Sequence, residues 1–121
     1  MTKSVVADLV GESLDMAVAL ADGHPVRRSA MEDAPGIHEQ WPDGNWEWIR
    51  RPSTAWEHGG PIIERAGIEI TPSAEGTWYA LWIEDRDSDT SATGSGEAFT
   101  PLAAAMRAYV AGRLGETVDL P

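Results

Sequence analysis

The run Thr77-Trp78-Tyr79-Ala80-Leu81-Trp82-Ile83 constrains the fold more than any other stretch of the chain. In a strand, successive side chains point to opposite faces. Trp78, Ala80 and Trp82 therefore share one face, and Tyr79, Leu81 and Ile83 share the other. Apolar residues on both faces call for cover on both, so the run predicts a central strand with helices above and below it. Shorter strands fit around it. Ile68-Glu69-Ile70 alternates after Gly67, and Pro72 to Gly76 supply a turn of hairpin length. Trp46-Glu47-Trp48-Ile49 follows an Asp43-Gly44 turn, which places Trp46 and Trp48 on one strand face.

Helices are announced by caps and periods. Leu14, Ala17, Val18 and Ala21 recur at i, i+3, i+4 and i+7, one apolar stripe of an opening helix over 4–23. Gly11 permits a break after its first turn, and Gly23 with Pro25 ends it. Thr100-Pro101 is a cap followed by a first helical residue, and Leu102, Met106, Tyr109, Val110 and Leu114 form the stripe behind it. Arg107 and Arg113 fall off that stripe, and Gly115 ends the helix. The elements predict an α+β fold, a small α/β/α sandwich. Its short antiparallel sheet, with a central strand at about 77–83, is covered by N-terminal, middle and C-terminal helices. A length of 121 residues suits one domain, 1–121. The stretches 24–45 and 85–98 are rich in polar residues, glycine or proline and read as flexible loops.

Charge and composition exclude several classes of function. The net charge of −11 repels phosphodiester backbones, which argues against duplex nucleic acid as a partner. With no cysteine there is no disulfide framework, thiol nucleophile or thiolate metal site. No long apolar run is present, so the expectation is a soluble intracellular chain without a membrane partner. Six tryptophans against one phenylalanine is unusual; most suit a core, and two or three could line a site.

Catalytic patterns are lacking. His24, His38 and His58 are scattered without ligand spacing, and His58 beside Glu57 has no nucleophile near it in sequence. Asp85-x-Asp87-x-Asp89 begins like a calcium loop, but Thr90 stands where the turn glycine belongs and Gly96 where the bidentate glutamate belongs. The expectation is no enzyme, no cofactor and no metal.

The densest feature is Pro52-Ser53-Thr54-Ala55-Trp56-Glu57-His58-Gly59-Gly60-Pro61-Ile62-Ile63-Glu64-Arg65. Thr54 and Glu57 have capping-box spacing. Gly59-Gly60 should loosen the first turn, Pro61 restart the helix and Gly67 stop it. Free amides at a helix start are a place for an anion. The candidate ligand-binding residues are Trp48, Arg50, Arg51, Ser53, Thr54, Trp56, Gly59, Gly60 and Arg65: Trp56 to stack on a base, the Gly59 and Gly60 amides to hold phosphate, the arginines to add charge. The same stretch also reads as a structural corner.

Three segments resemble the phage NinX family of small proteins of unknown function. They are Leu14 to Ala19 with Gly23, Pro52 to Arg65, and Thr100 to Val110 with Leu114-Gly115. The resemblance implies a phage protein acting in the host bacterial cytoplasm and brings no catalytic residues. Two functions stay open. One is a non-enzymatic protein that sequesters a small anionic ligand, such as a host immune signalling nucleotide, in counter-defence. The other is an acidic module docking on a host or phage protein, with a homo-oligomer as a further partner state.

Overall fold

The computed structural model describes residues 2–29, 36–84 and 93–121. The core is built on the last helix. Strand β1 (Thr2–Val5) leads through a short 3-10 turn (Val6–Asp8) into α1 (Gly11–Ala21); strands β2 (Val26–Ser29), β3 (Gly36–Gln40) and β4 (Trp46–Trp48) follow. Next come α2 (Trp56–Ala66), β5 (Glu69–Pro72), β6 (Trp78–Ile83), β7 (Thr93–Ala98), α3 (Pro101–Leu114) and β8 (Thr117–Leu120). Pairing is antiparallel throughout, in sheets ordered β1-β8, β2-β3-β4 and β5-β6-β7. The fold is α+β, with β6 as the central strand of its sheet, as the sequence predicts.

Helix α3 forms where the caps place it. The Thr100 hydroxyl accepts from the Ala103 amide at 3.2 Å, Pro101 opens the first turn, and Gly115 closes the helix at φ +94°. Leu102, Ala104, Ala105, Met106, Ala108, Tyr109 and Val110 are all buried. The helix lies on the face of the sheet that carries Trp78, Ala80 and Trp82. Contact is close because β7 presents glycines: a Cβ at Gly94 would overlap the Ala108 carbonyl, and one at Gly96 would overlap the Ala104 carbonyl. Trp82 fills the remaining space, with its indole N–H donating to the Ala66 carbonyl at 3.0 Å and its ring centroid 5.2 Å from that of Tyr109.

The layering differs from expectation on the second face of β6. Tyr79 is exposed there, and among the described residues no helix covers it; α1 packs on α3 instead. Leu81 and Ile83, on that face, are accordingly only half buried.

Other boundaries also move. The opening helix begins at Gly11, not residue 4, because residues 2–5 pair with β8 and Gly11 takes φ +54°. The stretch 24–45 is not a loop: β2 and β3 lie within it, and Ile37, His38 and Glu39 are buried. Of the stretch 85–98, Thr93–Ala98 is strand β7, while 85–92, with the calcium-like aspartates, lie outside the described residues.

Trp82→Ala removes a large buried side chain and should cost ~3–5 kcal/mol. Urea melts measure it; a loss under about 1 kcal/mol would mean that the α3–sheet junction does not carry the core.

Candidate functional site

The segment between β4 and α2 turns tightly before the helix. The amides of Thr54 and Ala55 both donate to the Arg51 carbonyl, at 3.2 and 2.8 Å. Ser53 is buried and anchors the turn to α1: its amide donates to Asp15 Oδ1 at 2.9 Å and its hydroxyl to the Gly11 carbonyl at 3.3 Å. Burial raises the Asp15 pKa above its ordinary value, although the Ser53 hydrogen bonds pull the other way. The expected capping box does not form. Helix α2 starts at Trp56 with Ala55 as its cap residue and no side-chain cap, and Thr54 is exposed. His58 closes the turn instead, its Nδ1 accepting from the Arg51 amide at 2.9 Å.

This anchoring sets the start of α2 beside the start of α1, and α3 begins on the same side. A groove of about 510 Å³ opens there, lined by Val10 and Gly11 at the start of α1, by Trp56 at the start of α2 with Ser53 and Thr54 of the turn before it, and by Phe99 to Ala103 where β7 passes into α3. Phe99 is 86% exposed and Trp56 57% exposed, two aromatic faces at one opening. Arg107 also lines it. Its Nε donates to the Leu9 carbonyl at 2.9 Å and its Nη1 to the Glu97 carbonyl at 2.6 Å. Carbonyl partners fix the guanidinium without neutralising its charge. The caps of α1 and α2 supply no side-chain acceptor, so their first-turn amides add positive potential.

Ser53, Thr54 and Trp56 are therefore at the groove, and the other expected residues are elsewhere. Gly59 and Gly60 lie inside α2, which runs unbroken through them and through Pro61. Pro61 costs the helix one hydrogen bond, the one to the Glu57 carbonyl, and this is not enough to stop it. The Gly59 amide donates to the Ala55 carbonyl at 2.9 Å, and a Cβ at Gly59 would meet the Pro52 carbonyl and, at 2.6 Å, Leu102 Cδ2. Gly59 is a close-packing residue. Trp48 stacks on His38, with centroids 4.4 Å apart, and is not at the groove. Arg51 is exposed and does not line the groove.

Arg50 and Arg65 are held in a separate ionic cluster. Glu39 is fully buried on β3 and takes both Arg50 Nε and Nη2, at 2.9–3.2 Å, and the Arg50 amide at 2.8 Å. His24 Nδ1 lies 2.7 Å from the same carboxylate. Arg50 Nη2 also donates to Asp22 Oδ2 at 3.0 Å, while Asp22 Oδ1 receives Arg65 at 3.2 Å and the Tyr109 hydroxyl at 2.6 Å. Burial pushes the Glu39 pKa up, but the Arg50 and His24 hydrogen bonds outweigh it and the net shift is downward. The Tyr109 pKa is raised, first by burial and then by Asp22.

Phe99 and Arg107 were not expected at a site. The signal for Phe99 was present: the lone phenylalanine of the chain stands directly before the Thr100-Pro101 cap, where a helix begins at the surface.

The family model of Bacteriophage P22 NinX matches residues 5–113, which include the groove and the ionic cluster. The chain belongs to this family. Among curated proteins none matches it. No helix among the described residues of this NinX-family chain is long and apolar enough to cross a membrane.

The glycine pair separates close packing from helix propensity. Gly60 has open space where a Cβ would go, so Gly60→Ala should stabilise by about 0.5–1 kcal/mol through helix propensity, while Gly59→Ala should destabilise by roughly 1–3 kcal/mol through overlap. Thermal melts of the two variants check the contrast; equal effects would contradict it.

A depressed carboxyl pKa contributes stability that is present above its unfolded value and lost as pH falls through the folded one. For Glu39 the loss begins below about pH 4.5. Asp15, with a raised pKa, works in the opposite sense there. Glu39→Gln should cost at the low end of roughly 3–5 kcal/mol at pH 7, because Arg50 keeps Asp22. It should also flatten the acid limb of the urea-midpoint profile relative to wild type, and parallel acid limbs would refute the assignment.

Proposed function

We propose that this NinX-family chain is a non-enzymatic binding protein that holds a small anionic ligand with an aromatic ring, a nucleotide by its chemistry, between Trp56 and Phe99. The observation that carries the reading is the single groove at which two exposed aromatic faces, the starts of all three described helices and the Arg107 guanidinium come together. Each ingredient has its part. A helix start carries roughly half a positive charge, which suits phosphate. An exposed indole or phenyl face stacks on a base for ~1–3 kcal/mol. The net charge of −11 opposes such a ligand at range, so recognition acts at contact distance and weakens with salt. In a phage protein acting in the host bacterial cytoplasm, sequestration of an immune signalling nucleotide, as counter-defence, is the use that needs binding and no chemistry.

Calorimetry with cyclic dinucleotides, ADP-ribose derivatives and mononucleotides tests the proposal on wild type, Trp56→Ala and Phe99→Ala. The ring truncations should weaken binding by about ten- to a hundredfold, the range that stacking is worth. They should leave the fold intact, because both rings are largely exposed. If none of these ligands binds wild type more tightly than about millimolar, the ligand reading fails. Docking on a host or phage protein through the same aromatic residues then takes its place.

A further inference from the structure

We propose that the free edge of β7 is a second binding site, which takes an extended, basic segment of a partner protein as an added strand. This goes beyond the ligand groove, which shares Val10, Ala98, Phe99 and Arg107 with the channel along this edge. Strand β7 pairs with β6 on one side, and among the described residues no strand lies on the other. An edge strand turns alternate N–H and C=O groups outward, ready to pair. A channel of about 1020 Å³ follows this edge. Every residue from Thr93 to Phe99 lines it, and so do residues on both sides of the sheet, Tyr79 and Leu81 on one and Arg107 and Ala111 on the other. A cavity touching both sides of one strand has to wrap around its edge. The far wall is Val5, Val6 and Ala7, at the end of β1 and in the turn after it.

Two observations specify the occupant. Edges that must stay unpaired are usually guarded by lysine, proline or a bulge. Thr93-Gly94-Ser95-Gly96-Glu97-Ala98 has no lysine or proline and a single charge, Glu97 near its end, and its register with β6 runs without interruption from Ile83↔Thr93 to Trp78↔Ala98. Charge selects the partner. Glu97 and Glu116 line the channel against a single cation, Arg107, and the chain carries −11 overall. A second copy of this chain would bring another −11 to the edge, whereas a basic strand meets complementary charge. Exposed Val5 and Tyr79 offer apolar surface to its alternate side chains.

The test uses synthetic alternating Lys-Val and Glu-Val heptapeptides on the intact chain, read by calorimetry and by amide hydrogen exchange. The Lys-Val peptide should bind more tightly than about millimolar and at least tenfold better than Glu-Val, and should slow exchange along 93–97. Methylating alternate peptide nitrogens removes ladder donors and should weaken binding at least tenfold. Ser95→Lys places a guard charge at an exposed position and should reverse the preference between the two peptides. Trp56→Ala should leave peptide binding unchanged, which separates this site from the ligand groove. The proposal is overturned by absence of binding, by binding indifferent to nitrogen methylation, or by exchange protection that rises with protein concentration alone together with a doubled mass. The last result would assign the edge to a second copy.

Discussion

The buried pair of Glu39 and Arg50 is the joint on which the separate parts of the chain depend. Among the described residues the three sheets share no strand, so no ladder there ties the β2-β3-β4 sheet to the others. Its main polar attachment runs through one carboxylate. Glu39 holds Arg50, Arg50 reaches Asp22 at the end of α1, and Asp22 receives Arg65 from α2 and Tyr109 from α3. Charges this far from water are costly unless each lone pair and N–H finds a partner, and here both Glu39 oxygens are multiply bonded. Trp41 adds an aromatic face 5.0 Å from the Arg50 guanidinium carbon. The cluster ties the sheet to the helices, and it engages Arg50 in a largely buried network while Arg65 stays mostly exposed at its margin.

The groove is positioned by a different device, the buried Ser53–Asp15 contact. It holds the turn before α2 against α1, and Gly59 then lets α2 approach Leu102 of α3. Helix starts brought together in this way share one opening. The surface there combines positive potential with exposed rings in a chain whose overall charge is strongly negative.

Much of this was legible wherever a local rule and the tertiary structure agree. Thr100-Pro101 caps α3, Gly67 ends α2 at φ +72°, and Trp82 points into the core. Strand β3 was hidden for a physical reason. Gly36-Ile37-His38-Glu39-Gln40 buries its polar residues through ion pairs and ring contacts, so it shows no apolar alternation. The glycines at 59 and 60 were read as loosening the first turn; Gly59 is demanded by a neighbouring backbone, which no single stretch of sequence reveals. The exposure of Trp56 at the groove follows from its place at the start of α2, which the cap and glycine pattern of the sequence put close to where it lies. Arg107 was missed because its role depends on the Leu9 and Glu97 carbonyls, distant in the chain or outside the helix.

The glycine seam between β7 and α3 has a mechanical meaning. Where Gly94 and Gly96 meet the carbonyls of Ala108 and Ala104, and Gly112 meets the Trp82 ring, main chain bears on main chain or on a rigid indole. Apart from Arg107, whose Cβ lies beside Gly96, the nearest atoms belong to no flexible side chain that could yield by changing rotamer. Strand and helix are therefore stiffly coupled, and a displacement of one is carried into the other rather than absorbed. The outer margin of the sheet and the first turn of α3 stand at opposite sides of this seam, so a load applied at either is felt at both.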